Sequence, residues 1–433
     1  MIRHWCDAMG DHNPVYTDPE FAAKSTHGEV VAPPAMLNAW LMPGLAGHRG
    51  SPDNPISALL QKLDAGGFTS VVATDSEHEY LRYLRIGDHL VSEQHVEDIS
   101  AEKQTALGLG HFFTTLTSYR TEDGEEVGRM RFRMLKFRPG TGRMASAADG
   151  GAGAPEPRPP RPRPGISHDT RFFWDGLGEH ELRIQRCEEC AALHHPPMVR
   201  CPGCGSYSLG YTVASGRGRI YSFVEPVHPK VQSFDYPLVV GLIELEEGTR
   251  LLANVADVDP ELVSIGMPVE CVFRETDPEL TLPFFRPIRP ARREDTLLVG
   301  DVAPGELLDP CPVDITPTQI VAGAIASRDY QDVHHDRDLA LKRGSPDIFM
   351  NILTTGGLCA RYVTDWAGPE AQLRSLRIRL GAPNYPGDVM TLTGRVERCE
   401  PDGTLELALR GANRLGDHAV GRVELSLPLR TNR

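Results

Sequence analysis

Two groups of residues in this chain have the types and spacing to do chemistry. Cys187 and Cys190 form a Cys-x-x-Cys pair, and after ten intervening residues Cys201 and Cys204 form a second. Four thiolates so spaced match the tetrahedral coordination of a structural zinc, each pair folding as a small knuckle. Four protein ligands leave no open position for catalysis, and two pairs at this spacing argue against a redox dithiol. The second group is a loop sequence that occurs twice. Residues 10 to 18 read Gly-Asp-His-Asn-Pro-Val-Tyr-Thr-Asp, and residues 328 to 336 read Arg-Asp-Tyr-Gln-Asp-Val-His-His-Asp. With Asp11 set on Asp329, Val15 meets Val333, Tyr16 meets His334, Asp18 meets Asp336 and Ala22 meets Ala340. Asp329 and His334, five residues apart on a loop, can converge on one water and move its proton, which is general acid–base chemistry. His335, Asp332 and Asp336 compete for that role, but loop solvation and helix capping fit them better. In the first copy Tyr16 replaces the histidine. A phenol with a pKa near about 10 is a poor base at neutral pH, so Asp11 and Tyr16 are read as local hydrogen-bonding groups.

Positioning these residues requires a helix before the loop and a longer one after it. Asp314 or Thr316 can cap a helix with Pro317 at its first position, running to Ser327, which leaves Asp329 and His334 on the loop that follows. A second helix is predicted over about 347–366, with Ile348, Ile352, Leu358, Tyr362 and Val363 facing inward. Alternating runs at 389–396, 405–409 and 420–427 then predict an antiparallel sheet. A long helix wrapped by a sheet is the hotdog arrangement. The first copy has the same order, with a candidate central helix of only about Ala35 to Leu41, preceded by Pro33-Pro34 and stopped by Pro43-Gly44. Because Met1 stands so close to this motif, a leading strand is expected to be missing there.

At roughly 150 residues per domain, 433 residues predict about three units. Residues 139–166, rich in Pro, Gly, Ala and Arg, read as an extended linker. A weaker break falls at 287–306. The expected division is therefore 1–138, the linker 139–166, 167–290 and 291–433. The formal charge of −14 disfavours nucleic acid as a partner. No apolar stretch approaches the ~20 residues that span a bilayer, and no leader pattern opens the chain. A soluble, cytoplasmic protein is expected, without membrane contact. Nine cysteines, four of them crowded into 187–204, fit a metal site plus buried thiols better than disulfides.

The two loop copies resemble the motif of the MaoC-like (R)-specific enoyl-CoA hydratases, Ser/Gly-Asp-x-Asn-Pro-hydrophobic-His-x-Asp. The third unit keeps Asp329 and His334 but has Gln331-Asp332 for Asn-Pro; the first keeps Asp11, Asn13 and Pro14 but has Tyr16 for His. The middle unit resembles the rubredoxin-like zinc-ribbon plus OB-fold modules that accompany thiolases and acyl-CoA enzymes. Its signposts are Phe172-Phe173-Trp174, His195-Pro196-Pro197, Cys201-Pro202-Gly203-Cys204-Gly205 and the run from Ser215 to Phe223. The whole resembles an actinobacterial steroid side-chain enoyl-CoA hydratase with its two subunits joined in one chain.

The resemblance implies an α+β protein in which two hotdogs flank a zinc ribbon and an OB-fold β-barrel. It implies a hydro-lyase that adds water to a 2-enoyl-CoA, a steroid 17(20)-ene C22 acyl-CoA giving the 17-hydroxy product. Asp329 and His334 would activate the water, with His334 the better-fitting base. The thioester oxygen needs backbone donors at a helix N-terminus, and Asn351 or Gly356 lies at the corresponding place. The first hotdog would be a substrate-binding half whose short helix leaves a tunnel for a bulky polycyclic acyl group. Zinc would be structural, acyl-CoA the substrate, and no redox cofactor would be used. The middle module would recruit a thiolase-like aldolase, the two hotdogs would pair within the chain, and two chains would form a homodimer. The principal rival is a non-enzymatic acyl-CoA-binding scaffold for a thiolase or aldolase. Nucleic-acid binding by the OB-fold is disfavoured, since residues 166–290 hold 11 basic against 18 acidic side chains.

Overall fold

The computed structural model describes residues 1–42, 44–45, 55–142 and 159–429. Pro43 and linker residues 143–158 lie outside the described residues. The chain forms two compact units, one built from its N-terminal and C-terminal parts and the other from its middle.

The N-terminal part opens with helix α1 (Ile2–Met9), closed by Gly10 in the left-handed conformation. Asn13 caps α2 (Pro14–Thr17) and Asp18 caps α3 (Pro19–Lys24), each with proline at the first position. In place of the expected central α-helix stands a 3-10 turn, Pro34–Trp40, its start fixed by Pro33-Pro34. Helix α4 (Pro55–Ala65) and strands β1 (Ser70–Tyr80), β2 (Leu90–Ile99), β3 (Lys103–Gln104), β4 (Leu109–Thr121) and β5 (Glu126–Phe137) follow.

The middle part contains α5 (Arg171–Gly178) and a small sheet of β6 (Arg183–Cys187), β7 (Leu193–His194) and β8 (Leu209–Val213). Strands β9 (Arg217–Val224), β10 (Val239–Leu245), β11 (Arg250–Val255), β12 (Pro268–Asp277) and β13 (Leu280–Pro287) close a barrel in the order β10-β11-β13-β12-β9. Phe173, Leu177 and Ile184 pack with Ile220, Ile243, Val269 and Phe285, so ribbon and barrel share one core. Linker residues lie on the barrel: Arg163 pairs with Asp277 at 2.9 Å, and Arg161 stacks on Phe234.

The C-terminal part runs β14 (Leu307–Asp314), α6 (Pro317–Ser327), α7 (Arg337–Lys342), α8 (Ile352–Ala367), β15 (Gln372–Leu380), β16 (Val389–Cys399), β17 (Thr404–Asn413) and β18 (Gly416–Ser426). Thr316, not Asp314, caps α6 through the Gln319 N–H. Helix α8 starts at Ile352, five residues later than predicted from 347, because Asn351 caps it and Met350 N–H is taken by the Asn384 carbonyl. Along β17 the leucines at 405, 407 and 409 alternate inward, as a half-buried strand requires.

The two hotdogs share one continuous sheet, ordered β14-β16-β17-β18-β15-β1-β5-β4-β2 with β3 at the edge of β4. Antiparallel pairing of β1 with β15 joins them, placing Ser76 opposite Ile378 and His78 opposite Leu376. Helix α8 is buried almost all round. Its Gly357 is where α1 crosses, so close that a Cβ would stand 2.6 Å from Met9 Sδ. No helix among the described residues is long and apolar enough to cross a membrane.

Candidate active site

Helix α6 ends at Arg328, which adopts the left-handed conformation (φ 59°), and the Asp329 N–H returns to the Ala324 carbonyl at 2.9 Å. This C-terminal turn, more often made by glycine, sets Asp329 beside the start of α8. Asn351 Nδ2 donates to Asp329 Oδ2 at 3.1 Å and to Ser327 Oγ at 2.9 Å, while its Oδ1 accepts the Thr354 N–H at 2.8 Å. One amide therefore caps α8 and fixes the carboxylate. A single turn of 3-10 helix, Asp332–His334, carries the imidazole. The Phe349 N–H bonds the Val333 carbonyl at 3.1 Å, clamping this loop to the segment before α8.

His334 Nδ1 lies 2.7 Å from the Phe349 carbonyl oxygen, which can only accept, so Nδ1 carries a proton and, in the neutral ring, Nε2 presents a lone pair. That Nε2 is 3.5 Å from Asp329 Oδ2. Asp329 and His334 are 5% and 6% exposed, sheltered but reachable. Two acceptors side by side are the arrangement in which one water can donate a hydrogen to each.

The competing residues have other work. Asp332 pairs with Arg343 at 2.7 Å, a hydrogen bond that lowers its carboxyl pKa. Asp336 caps α7, and His335 bonds the Gln331 carbonyl. In the first copy Asp11 accepts the Asn13 N–H at 3.0 Å, and burial raises its carboxyl pKa. Burial also pushes the Tyr16 phenol well above its ordinary range. Asp11 faces the charge of Arg361, whose guanidinium reaches across from α8 to the Met9 carbonyl. Among the described residues no imidazole is hydrogen-bonded or ion-paired to Asp11, and His12 beside it in the chain is exposed.

Of the two expected oxyanion positions, Asn351 spends its side chain on the cap and on Asp329. Gly356 is the fifth residue of α8, so its N–H belongs to the helical ladder; what it contributes is a bare face to a small cavity. Ile352, Leu353 and Gly356 form one wall of that cavity, and Ala35, Asn38, Ser76, His78 and Tyr80 of the first hotdog another. The N–H groups of Ile352 and Leu353 have no acceptor within α8. Sequence reasoning missed Ser327 and the Phe349 carbonyl as anchors; an Asn one residue before a run of apolar residues was the one signal for the cap.

In the middle unit the four cysteine sulfurs lie within 4.8 Å of one another. Cys187 and Cys204 are 3.5 Å apart and Cys190 and Cys201 3.6 Å, near the edge of about 3.8 Å of a tetrahedron with Zn–S bonds of about 2.3 Å. Each knuckle closes alike: Ala191 N–H bonds the Cys187 carbonyl and Gly205 N–H the Cys201 carbonyl, both at 2.9 Å, with Ala191 and Gly205 left-handed. The Cys204 backbone N–H and then His194 lower the Cys201 thiol, while side-chain hydrogen bonds with neighbouring cysteines raise the Cys190 and Cys204 thiols. The donor set fits a structural zinc, and the zinc-ribbon assignment below agrees.

Comparison with known proteins gives three family matches. Residues 1–130 match the FAS1-like dehydratase domain region, 174–209 the ChsH2 rubredoxin-like zinc ribbon domain and 211–274 the ChsH2 C-terminal OB-fold domain. A probable enoyl-CoA hydratase alpha subunit of Thermomonospora curvata is 46% identical over 67% of this chain and 89% of its own. The 3-oxo-4,17-pregnadiene-20-carboxyl-CoA hydratase alpha subunit of Mycobacterium tuberculosis is 40% identical over 63% of this chain and 85% of its own. The corresponding beta subunit is 54% identical over 26% of this chain and 85% of its own. A solved MaoC-like dehydratase superposes with a TM-score of 0.54 over 98% of this chain and 93% of its own, at 14% identity, which speaks for the fold alone.

Proposed function

The chain belongs to the MaoC-like enoyl-CoA hydratases, hydro-lyases that add water to a 2-enoyl thioester, and we propose that Asp329 and His334 are its water-activating pair. The observation that carries this is their buried approach, 3.5 Å between Nε2 and Oδ2, beside the start of α8. Water held between them gives a proton to one as its oxygen attacks the β-carbon, and the pair returns a proton to the α-carbon. Negative charge developing on the thioester oxygen is met by the Ile352 and Leu353 N–H groups at the positive end of α8.

The substrate is a bulky polycyclic enoyl-CoA, a steroid 17(20)-ene C22 acyl-CoA hydrated at C17. The relative from Mycobacterium tuberculosis, named for such a substrate, supports this, as does the seven-residue 3-10 turn standing where the second hotdog has a sixteen-residue helix. The zinc-ribbon and OB module recruits a thiolase-like aldolase that cleaves the hydrated product, and two chains assemble as a homodimer; both rest on the resemblance of the whole chain.

The test follows the enoyl thioester absorbance with a steroid 17(20)-enoyl-CoA and, separately, a short linear enoyl-CoA. Asp329→Ala and His334→Ala are each expected to lower kcat by about 10²–10⁴-fold without loss of folding. No turnover by folded, zinc-loaded wild-type protein would favour an acyl-CoA-binding scaffold.

A further inference from the structure

The cavity beside Gly356 has an unusual inner wall. Its second-hotdog side is apolar, made by Ile352, Leu353, Leu376 and Ile378. Its first-hotdog side carries Ser76, His78 and Tyr80, alternate residues of β1 and therefore on one face of the sheet. Ser76 Oγ and His78 Nε2 are 2.8 Å apart. Tyr119 donates to Asn38 Oδ1 at 3.2 Å, fixing that amide at the cavity edge.

Two polar atoms of this wall are buried without a hydrogen-bond partner among the described residues, the Tyr80 hydroxyl and His78 Nδ1. Tyr80 is only 3% exposed. Leaving such a group unsatisfied is costly, and the two belong to alternate residues of one strand that line the same cavity. Phenylalanine and leucine would fill the same volume at no such cost. Their presence is explained if something that enters this space brings its own hydrogen-bonding atom.

We propose that Asn38, Ser76, His78 and Tyr80 form a subsite for a keto or hydroxyl oxygen on the acyl group, so that the enzyme selects oxygenated ring systems over plain hydrocarbon chains. The inference rests on the hydratase reading and names the substrate class more closely. The Tyr80 hydroxyl donates to the ligand oxygen and His78, a neutral imidazole, closes the polar cluster. At about 20 Å³ the enclosed space takes one oxygen-sized group. The ring system reaches it past Ala35, which sits on the 3-10 turn, an element of weak internal hydrogen bonding.

The experiment measures binding, so that it stands independently of turnover. The full-length, zinc-loaded protein is titrated calorimetrically with two saturated, unreactive steroid acyl-CoA thioesters, one carrying a ring ketone distal to the thioester and one deoxygenated there. Wild type is expected to bind the ketone about tenfold more tightly. Tyr80→Phe, which keeps the ring and its packing, is expected to bring the ratio to near one while leaving affinity for the deoxygenated ligand unchanged. Equal affinities in wild type, with the cavity holding water alone, would overturn the subsite, as would failure of both ligands to bind. Hydration of enoyl-CoA with no oxygen preference would sink the subsite and leave the hydratase reading standing. A tenfold preference without turnover would do the reverse.

Discussion

Asn351 holds Asp329 through a 3.1 Å hydrogen bond while the other end of the same amide caps helix α8. The orientation of the carboxylate is thereby tied to the start of the helix that faces the cavity. A shift of either would move both the proposed water and the proposed oxyanion donors.

Replacing Asn351 separates these roles. Asn351→Ala removes the cap, at about 1 kcal/mol, and frees Asp329 to rotate, so kcat is expected to fall far more than the melting temperature. Asn351→Asp keeps the capping oxygen but sets a second carboxylate against Asp329. Like charges so close raise the apparent pKa of the pair, and the acid limb of the kcat/KM profile is expected to move to higher pH. An unchanged profile would show that Asp329 takes no part in the titration that governs rate.

Two adjacent glycines of α8 make a sharper contrast. At Gly357 a Cβ would meet Met9 Sδ at 2.6 Å and Trp5 Cζ2 at 2.9 Å, whereas at Gly356 the nearest atom is Leu376 Cδ2 at 3.7 Å. Gly357→Ala should destabilise the hotdog pair by about 1–3 kcal/mol, read by denaturant unfolding. Gly356→Ala should leave stability unchanged or raise it by up to about 1 kcal/mol, yet weaken binding of bulky acyl-CoA because the methyl enters the cavity. Equal destabilisation by the two would contradict the placement of the α1 crossing.

Stability should fall in mild acid through His418. Burial lowers this imidazole to about 4, with Nδ1 2.7 Å from the Ala382 carbonyl and Nε2 2.8 Å from Thr355 Oγ1. The folded pKa lies below the unfolded value of about 6.5, so the unfolded chain binds the proton first as pH falls. The loss runs from about pH 6.5 down to about 4, is absent above that window, and is on the order of 3 kcal/mol when complete. His418→Gln should lower stability modestly at pH 7 and flatten this slope in thermal melts; an unaltered slope would assign the acid sensitivity elsewhere.

Zinc removal should strike only one of the two units. Cys190→Ser with Cys204→Ser, or chelation during mild heating, is expected to release the metal and unfold the ribbon sharing a core with the barrel, seen in Trp174 fluorescence. Asp329, His334 and α8 belong to the other unit, so hydration of a short enoyl-CoA should persist. Concurrent loss of both would show that the units depend on one another.

Legibility followed the range of the interactions involved. The α6 helix could be read because Thr316 and Pro317 act locally, and the cysteine knuckles because ligand spacing is itself local. The start of α8 could not, since Phe349 and Met350 are held by Val333 and Asn384, partners distant in sequence. The same holds for Asn351: its capping habit is visible in the sequence, its bond to Asp329 is not. The union of the first and last stretches was expected from the family resemblance alone, because the β1–β15 pairing spans some three hundred residues and leaves no local signal of its register. Nothing local marks Tyr80 and His78; the lack of a partner for the Tyr80 hydroxyl and His78 Nδ1 is a property of the assembled cavity alone.

The continuous sheet has a consequence for how such an enzyme exists at low abundance. Relatives are divided into alpha and beta subunits, and two separate chains must find one another at a rate set by their concentrations. Here the β1 and β15 edges belong to one molecule, so their encounter is intramolecular and unaffected by dilution. Every chain carries one half of each kind, which guarantees equal stoichiometry and forbids mispairing of like halves within it. Freed from any need for self-complementarity, the half with Tyr16 at the position of His334 can change shape without harming its partner's chemistry.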